Sequence, residues 1–416
     1  MVMANDRRRL VTLRDAVLVA VVAIVVVQIL RNTVGDRYMV PSDSMQPVLF
    51  GDETRGDIVF VDKTASAADC RRHDLVVVKH PEKPESQLVK RIAASGDDVD
   101  ACWIDLKQGD VWLGPDSLRL VREVKDPIDA RSMQVPWANA PGLGADRIDL
   151  TSGAKDGAGW RLAPFCDNAA DARSGFRDAA RRERRRALHP VPSGCIGTTK
   201  SVDAGFVDLN GSRNTGHDFG VDDCSMSLEI DAPVELVCTI DAVAHALTFH
   251  ADLANGTVEL WCNGADVARR DARFAVSGPQ RIEFGFLDDR AYFVVGDHRE
   301  SLFVVARDAA WPADRDAMPV GPRTWLHAGV LGTVAAHVRS IAVTRDVYSY
   351  REKIAGLPDQ PGQWPRFVSA GEWFLLGDNA FDSRDSRHFG PVRQRDFIGR
   401  PRFVLGPWPR CRWLGT

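Results

Sequence analysis

The chain has 416 residues, of which 44% are hydrophobic and 26% charged, so it is long enough for at least two hydrophobic cores and has the composition of a globular protein. Its formal net charge of -4 excludes the strongly basic balance of nucleic-acid-binding proteins, and we expect no nucleic-acid partner. Eight cysteines occur without a C-x-x-C pair, which argues against a zinc ribbon or a thioredoxin-type motif. Two interpretations of these cysteines stay open, disulfide bonds or small buried apolar residues.

The first predicted element is an apolar helix near the start of the chain. Residues 16–30 read AVLVAVVAIVVVQIL, and at about 1.5 Å per residue they cover roughly 22 Å. Flanking Arg14 and Arg31 can snorkel toward the edges of the ~30 Å hydrocarbon core. No small-x-small cleavage site follows, and a core helix this uniformly apolar is uncommon at a chain terminus. We therefore predict a transmembrane anchor over residues 13–34 rather than a cleaved signal peptide or a core helix.

The arginines around this anchor predict its orientation. Four precede the apolar run of residues 16–30 and two follow it, at positions 7, 8, 9 and 14 and at 31 and 37. The positive-inside rule then places residues 1–12 in the cytoplasm and the remainder on the outer or periplasmic side of the cytoplasmic membrane.

After the anchor, short β-rich runs bounded by turn residues predict strands at 57–61, 75–78 and 88–92. Residues 105–202 have few strong periods, and we predict an irregular, partly helical insert there. A helix over 168–188 would carry a run of arginines, either as a solvated face or as a contact with anionic lipid.

Residues 203–345 have the pattern of an antiparallel β domain. Asn-Gly pairs, which favour hairpin turns, begin at 210, 255 and 263. Ile282, Phe284 and Phe286 alternate with other residues before an Asp288-Asp289 turn. We predict an inserted β-sandwich of the jelly-roll or lectin-like kind. Further β-like segments follow at 367–376 and 397–405.

Three polar segments carry the chemistry. The first, residues 41–47, reads PSDSMQP, and it places Ser44 close to the membrane surface because the apolar run ends at Leu30. The second, residues 88–91, places Lys90 among apolar neighbours, whose desolvation would lower its pKa enough for the amine to act as a base. The alternatives are a serine-rich turn and an ordinary surface lysine.

The third segment is the most specific of the three. Residues 377–392 read GDNAFDSRDSRHFGPV, and a plain polar loop held by its own side chains is the alternative interpretation. Taken together, the three segments resemble bacterial signal peptidase I, a family of membrane-bound Ser/Lys proteases with the pattern G-D-N-x-x-x-S-x-D-S-R-x-x-G-x-V. The resemblance covers about 38–100 and 345–405 with the preceding span, and it does not cover roughly 105–345.

The resemblance implies a mainly β fold, with a catalytic core in two parts, 35–104 and 346–416, interrupted by the insert. It implies Ser44 as nucleophile and Lys90 as general base, with the Ser42 hydroxyl and the Ser44 backbone N–H as oxyanion donors. It also implies supporting roles for Ser383, which orients the lysine, for the Asp385 and Arg387 ion pair, and for Asp378 and Asn379, which brace the site.

The chain departs from the family pattern at three places. Asp43 stands between the two serines where glycine is common, and Val48 stands where threonine is usual. The turn after Lys90 is one residue shorter than usual and lacks a glycine and a proline of the family pattern. These changes bear on the electrostatics near Ser44 and on the placement of Lys90.

We expect a serine endopeptidase that removes signal peptides from exported precursor proteins, with those precursors and membrane lipids as partners and no metal or organic cofactor. One alternative is a decayed protease core whose β insert binds an unidentified ligand, and another is a protease specialised for few substrates. Competing mechanisms have weaker support because the chain has no G-x-S-x-G elbow, H-E-x-x-H motif or P-loop. A Ser-His-Asp triad, with His388 near the site, is the remaining catalytic alternative.

Overall fold

The computed structural model describes residues 2–107, 109–131, 135–138, 148–150, 155–156, 159–162, 164–166, 195–198, 202, 206–207, 213–214, 223–242, 245–263, 265–271, 279–297, 299–307, 324–333, 335–347, 349, 351, 364–380 and 382–414. Within these residues the α-helices are α1 Val2–Thr33, α2 Pro127–Ala130 and α3 Ser386–Phe389. The strands before the insertion are β1 Gly35–Met39, β2 Ile58–Asp62, β3 Leu75–Lys79, β4 Gln87–Ser95, β5 Trp103–Lys107, β6 Asp110–Gly114 and β7 Val121–Arg122.

The strands of the insertion are β8 Val135–Ala138, β9 Ile148–Leu150, β10 Lys155–Asp156, β11 Gly159–Leu162, β12 Pro164–Cys166, β13 Ile196–Thr198, β14 Phe206–Val207, β15 Arg213–Asn214, β16 Cys224–Ile230, β17 Glu235–Ala242, β18 His245–Asp252, β19 Thr257–Cys262, β20 Ala265–Asp271, β21 Gln280–Leu287, β22 Arg290–Val295, β23 Phe303–Ala306, β24 Thr324–Leu331 and β25 Ala336–Arg345. The strands after it are β26 Arg366–Phe367, β27 Glu372–Leu376, β28 Val392–Arg393, β29 Phe397–Gly406 and β30 Arg412–Trp413.

The chain forms two compact units. The first consists of Met1–Lys107, Val111–Val121 and Arg351–Thr416, and the second of Gln108–Asp110 and Arg122–Tyr350. The first unit is therefore made from both ends of the chain, while the second is almost one continuous segment.

Helix α1 begins the first unit and contains the predicted apolar run. The window Ala16–Thr33 is long and apolar enough to cross a membrane, and none of it is buried against the rest of the protein. The helix is consistent with a membrane anchor or a signal sequence.

The main sheet of the first unit has the strand order β1-β2-β29-β3-β4-β27-β28, with β30 added beside β29. Strand β3 is buried on both faces, because Leu75 and Val77 pack into one core cluster while Val76 and Val78 pack into another. Such a continuous apolar run is typical of a strand with both faces covered. Strand β4, which carries Lys90, lies beside β3 and pairs antiparallel with it and with β27.

A smaller sheet has the order β26-β5-β6-β7. Its β5 residues Ile104 and Leu106 pack with Ala94 of β4 and Phe374 of β27. The last part of β4 is thus held by two cores, because Ala93 and Ala94 lie in this one and Ile92 lies in the core that contains Val76 and Val78.

The second unit is a sandwich of two sheets. One has the order β10-β11-β25-β16-β21-β22-β23, and the other β20-β19-β18-β17-β24-β13-β9. Alternate residues of both sheets, such as Met226 and Leu228 of β16 and Leu236 and Ile240 of β17, form one buried core. The prediction of a mainly β protein with an inserted β-sandwich is confirmed.

Two of the predicted turns occur where the sequence placed them. The 255 pair lies between β18 and β19, and Asn263 follows β19. The 210 pair lies outside the described residues. Asp288 and Asp289 join β21 to β22 with φ values of 49° and 59°, a left-handed conformation suited to a tight hairpin.

Residues 105–202 contribute more regular structure than the sequence indicates. Strands β11 and β13 pair with β25 and β24 of the sandwich and so belong to its sheets, whereas residues 111–121 belong to the first unit. The predicted helix at 168–188 lies outside the described residues. Cys224, Cys238 and Cys262 are buried in the sandwich core, where they pack as small apolar side chains.

Candidate active site

Ser44 lies on a short 3-10 turn, Asp43–Met45, between β1 and β2. The turn is fixed because Met45 and Leu49 are both buried in the adjoining core, and the Leu49 N–H donates to the Met45 carbonyl at 2.8 Å. Ser44 itself is only 7% exposed. A serine held this way presents its hydroxyl in one direction without a large cost in side-chain entropy.

Lys90 lies in the middle of β4 and is 1% exposed, which is unusual for a lysine. Its Nζ is 2.5 Å from Ser44 Oγ. The two residues that the sequence predicted as nucleophile and base are therefore in direct hydrogen-bond contact, although they lie on different elements.

Burial lowers the pKa of Lys90 to about 8, while the carboxylates of Asp385 and Asp378 oppose that shift. Burial acts in this direction because a charged ammonium loses its hydration inside the protein. At neutral to mildly alkaline pH a useful fraction of the amine is unprotonated and can accept the Ser44 proton.

Ser42, the predicted oxyanion donor, is exposed, and its Oγ lies 3.4 Å from Ser44 Oγ. Asp43 lies between them and is also exposed. The Gln46 side-chain amide donates to the Asp43 carboxylate at 2.5 Å, so this departure from the family pattern has a local partner on the same turn.

The loop after β27 holds the Ser44 turn from the other side. The Asn379 backbone N–H donates to the Ser44 carbonyl, and its side-chain amide donates to the Asp43 carbonyl, both at 3.1 Å. The preceding Asp378 accepts two hydrogen bonds from Arg91, at 2.8 and 2.7 Å. The loop is thus bonded both to the nucleophile turn and to the residue next to Lys90.

Asp385 and Arg387 form the predicted ion pair, with two contacts of 2.8 Å, and both are buried. The Gly377 N–H also donates to Asp385, at 3.0 Å. Although burial acts to raise it, the pKa of Asp385 lies below its usual range because the Arg387 charge and these hydrogen bonds outweigh burial. Asp385 therefore stays ionised close to Lys90.

Ser383 is completely buried, and its hydroxyl makes no hydrogen bond within the part of the chain that the structure describes. Its predicted bond to the Lys90 amine stays a prediction. The hydroxyl lies against Gly377, close to the Ser44 carbonyl, so it belongs to the same small volume.

Gly377 has no room for a side chain. A Cβ there would lie 2.1 Å from Ser383 Oγ and 2.5 Å from the Ser44 carbonyl oxygen. We expect Gly377→Ala to displace the Ser44 turn and to lower peptide-bond cleavage by at least about 100-fold, since small displacements of a reacting group have effects of that size. Cleavage and thermal unfolding would be measured on the same preparation.

Gly406→Ala is the matched control, because the nearest heavy atom to a Cβ at that position is 4.0 Å away. The expectation would be wrong if Gly377→Ala cleaved like the wild type, or if both variants lost activity equally.

Sequence reasoning placed Arg91 beside the base without giving it a role. Its partner Asp378 is 287 residues away, and only the fold brings the two together. The sequence does show an arginine directly after Lys90 and an aspartate in the third segment. Nothing in the sequence alone indicates that these two residues form an ion pair.

A second cluster of carboxylates lies in the sandwich unit. Carboxylate oxygens of Asp110, Asp223 and Asp288 lie within 4.8 Å of one another, a spacing that could suit a cation. Arg122 contacts Asp110 and Asp223 at 3.0 Å, and Lys125 contacts Asp288 at 3.3 Å. Two basic side chains already occupy this cluster, so it serves as a buried ion-pair network rather than an open metal site.

The chain was compared with known proteins. The family model "Signal peptidase, peptidase S26" matches residues 13–107 and 338–408. A signal peptidase I of Aquifex aeolicus is 35% identical over 77 residues, which are 18% of this chain and 28% of that protein. Signal peptidase I V of Bacillus subtilis is 50% identical over 32 residues, 8% of this chain and 19% of that protein. The matched segments thus span less than a third of either relative.

Solved structures similar to this chain contain β-sandwich domains. The exoplasmic domain of VIP36, in a Ca2+/Man3GlcNAc-bound form, aligns at 10% identity over 56% of this chain and 94% of its own, with a TM-score of 0.29. Galectin-Ib of Xenopus laevis aligns at 12% identity over 30% and 92%, with a TM-score of 0.20. The carbohydrate-binding module CBM66 of Bacillus subtilis aligns at 12% identity over 36% and 80%, with a TM-score of 0.22.

Proposed function

We propose, from the premise that this chain belongs to the signal peptidase S26 family with its domain split by an insertion between residues 108 and 338, that it is a membrane-anchored serine endopeptidase which removes signal peptides from exported precursor proteins. The observation that carries the proposal is the 2.5 Å contact between the buried Lys90 amine and the Ser44 hydroxyl. Burial of an ammonium group costs free energy, so an ordinary lysine of a strand is expected to keep its amine in water. Burial of Lys90 against a serine therefore favours a chemical role.

The proposed reaction follows from the positions of these groups. Neutral Lys90 accepts the Ser44 proton as Ser44 Oγ attacks the scissile carbonyl, and the resulting ammonium then protonates the leaving amine. Water, with Lys90 again as base, hydrolyses the ester formed on Ser44. The Ser42 hydroxyl and the Ser44 backbone N–H are proposed to stabilise the negative charge that develops on the carbonyl oxygen.

The short connection from α1 through β1 to the Ser44 turn supports action at a membrane. The Lys63 ammonium donates to the Arg31 carbonyl at the end of the helix, at 2.9 Å, and Arg31 pairs with Asp36 at the start of β1. The helix therefore leads directly into the sheet that precedes the Ser44 turn. In the proposed arrangement the N-terminus is cytoplasmic and the site lies outside the membrane, where the end of a bilayer-embedded signal segment would emerge.

The detergent-solubilised full-length chain, incubated with a panel of signal-peptide-bearing precursors, tests this function. We expect new N-termini at the signal junctions, identified by mass spectrometry of the products. Cleavage of only one precursor in the panel would favour the specialised alternative. Failure to cut any precursor, by a chain that is folded and correctly inserted, would contradict the proposal and favour the decayed-core alternative.

The contacts of the site argue against the alternative of a protease core that has lost its activity. Loss of function in a protease usually removes the nucleophile or the base, whereas here Ser44 and Lys90 are retained in contact and the Asp385–Arg387 pair is intact. The insert remains without an identified ligand.

A further inference from the structure

Ser386 is the residue between the two members of the buried ion pair, and three hydrogen bonds hold it. One comes from the Gly390 N–H to its carbonyl oxygen, at 3.1 Å. The Arg366 guanidinium donates from Nη1 to its carbonyl oxygen at 3.0 Å. The Leu375 N–H of β27 donates to its hydroxyl at 2.9 Å. Ser386 also begins α3, so these bonds fix the start of that short helix and the backbone between Asp385 and Arg387.

Arg366 is itself held by an aromatic ring. Its guanidinium carbon lies 4.9 Å from the centroid of the Trp364 ring, within the range of a cation–π interaction. The Trp364 ring in turn packs edge-on against Phe374 of β27, with centroids 6.0 Å apart. The arginine therefore has little freedom to leave the Ser386 carbonyl.

Arg366 also acts electrostatically on the same loop. Burial lowers the pKa of Arg366, and the Asp385 carboxylate opposes that shift. Asp385 is also the carboxylate that most strongly opposes the lowering of the Lys90 pKa. A change in the position of Asp385 would thus be felt at Lys90.

The geometry points to Arg366 as a positioning residue for the Ser44/Lys90 reaction, which, held on Trp364, fixes the loop that carries Asp385 and Arg387 through the Ser386 carbonyl. This inference rests on the proposed function, since it concerns the rate of the same reaction. Arg366 touches none of the reacting atoms and acts only through the loop.

A second arginine, Arg351, also contacts the Trp364 ring, and it is the residue at which the chain returns to the first unit. Arg351 lies over the ring at 5.9 Å and forms a two-point ion pair with the buried Asp105 of β5, at 2.7 and 2.5 Å. Arg351 does not contact Ser386, so its effect on the loop should be the smaller of the two.

The test is a set of full-length variants assayed for precursor cleavage and for hydrogen exchange. Arg366→Met keeps much of the side-chain volume and removes the donor and the charge. We expect kcat to fall about 10- to 100-fold, as for other groups that hold catalytic residues in place, with KM within about twofold. Arg366→Lys, which keeps a cation able to reach the carbonyl, should restore much of the loss, and Arg351→Met should have a smaller effect than Arg366→Met.

Hydrogen exchange separates positioning from general destabilisation. In Arg366→Met the amides of Leu375 and Gly377, which donate to Ser386 and Asp385, should exchange faster while the rest of the first unit is unchanged. Arg119→Met is the matched control, because Arg119 is 76% exposed in its side chain and pairs only with the neighbouring Asp116 in the contacts described. It should leave both readouts at wild-type values.

The outcomes are distinct. Wild-type kcat in Arg366→Met, or faster exchange spread evenly over the unit, would overturn the inference. If the wild-type chain cleaves no precursor, the proposed function fails, and the exchange data alone decide the inference. Faster exchange confined to the loop would then support Arg366 as the residue that fixes it, and unchanged exchange would overturn that role.

Discussion

Replacing Ser44 by alanine is expected to lower the rate of precursor cleavage by at least about 1000-fold, because the change removes the atom that attacks the scissile carbonyl. The remaining groups can still bind substrate and stabilise an oxyanion, so a small rate above that of the uncatalysed reaction can persist. The measurement is single-turnover cleavage of a precursor by the purified full-length variant, with thermal unfolding followed in parallel.

Ser369→Ala serves as the control for this change, because Ser369 is an exposed serine of the same unit and lies outside the site. It should cleave like the wild type. Cleavage by Ser44→Ala at more than a few per cent of the wild-type rate would remove Ser44 as the nucleophile and return attention to the weaker mechanisms, including a triad with His388.

Replacing Lys90 by methionine is expected to produce a loss of comparable size, since no other described amine contacts Ser44 Oγ. Methionine fits a site lined by apolar neighbours, and removal of a buried amine ends its desolvation cost, so the variant should be at least as stable as the wild type. A dead but stable Lys90→Met would therefore separate chemistry from folding. The measurement pairs precursor cleavage with thermal unfolding.

The pH dependence of the wild type provides a second readout of Lys90. The amine acts only when unprotonated, and its pKa is lowered to about 8. Consequently kcat/KM should rise about tenfold per pH unit below that value and level off above it. Lys79→Met, at the exposed end of β3, should keep both the rate and the profile. If kcat/KM of the wild type were constant over a range of roughly pH 6 to 9, which brackets that pKa, Lys90 would be ruled out as the base.

Local sequence patterns were sufficient to predict the strands that carry the site and several turns of the sandwich. Alternating apolar residues located β21, and Asn-Gly pairs located the hairpins around β19, because both signals depend on neighbours within a few residues. Ser44 and Lys90 were found through motif resemblance, and their contact gives that pairing a physical basis.

Other parts of the site depend on distant contacts that leave no local signal. The Arg91–Asp378 pair joins residues 287 positions apart, and the Arg366–Trp364 stack lies in a connecting segment with no periodic pattern. The burial of Arg366 against the loop depends on the pairing of β26 with β5, which precedes the insertion. Such contacts become visible only once the two halves of the first unit are assembled.

That assembly from two distant halves has a consequence for biosynthesis. Strand β27 and the loop after it leave the ribosome only after the entire sandwich, and domains generally fold as units in the order of their synthesis. Until β27 pairs with β4, only β3 pairs with β4 and the cover of Lys90 is incomplete, so desolvation lowers the pKa of its amine less than in the finished fold. Under the proposed function, we therefore expect the nascent chain to be inert until β27 has been synthesised. The late arrival of β27 would then protect α1, the proposed anchor, from cleavage at the chain's own site.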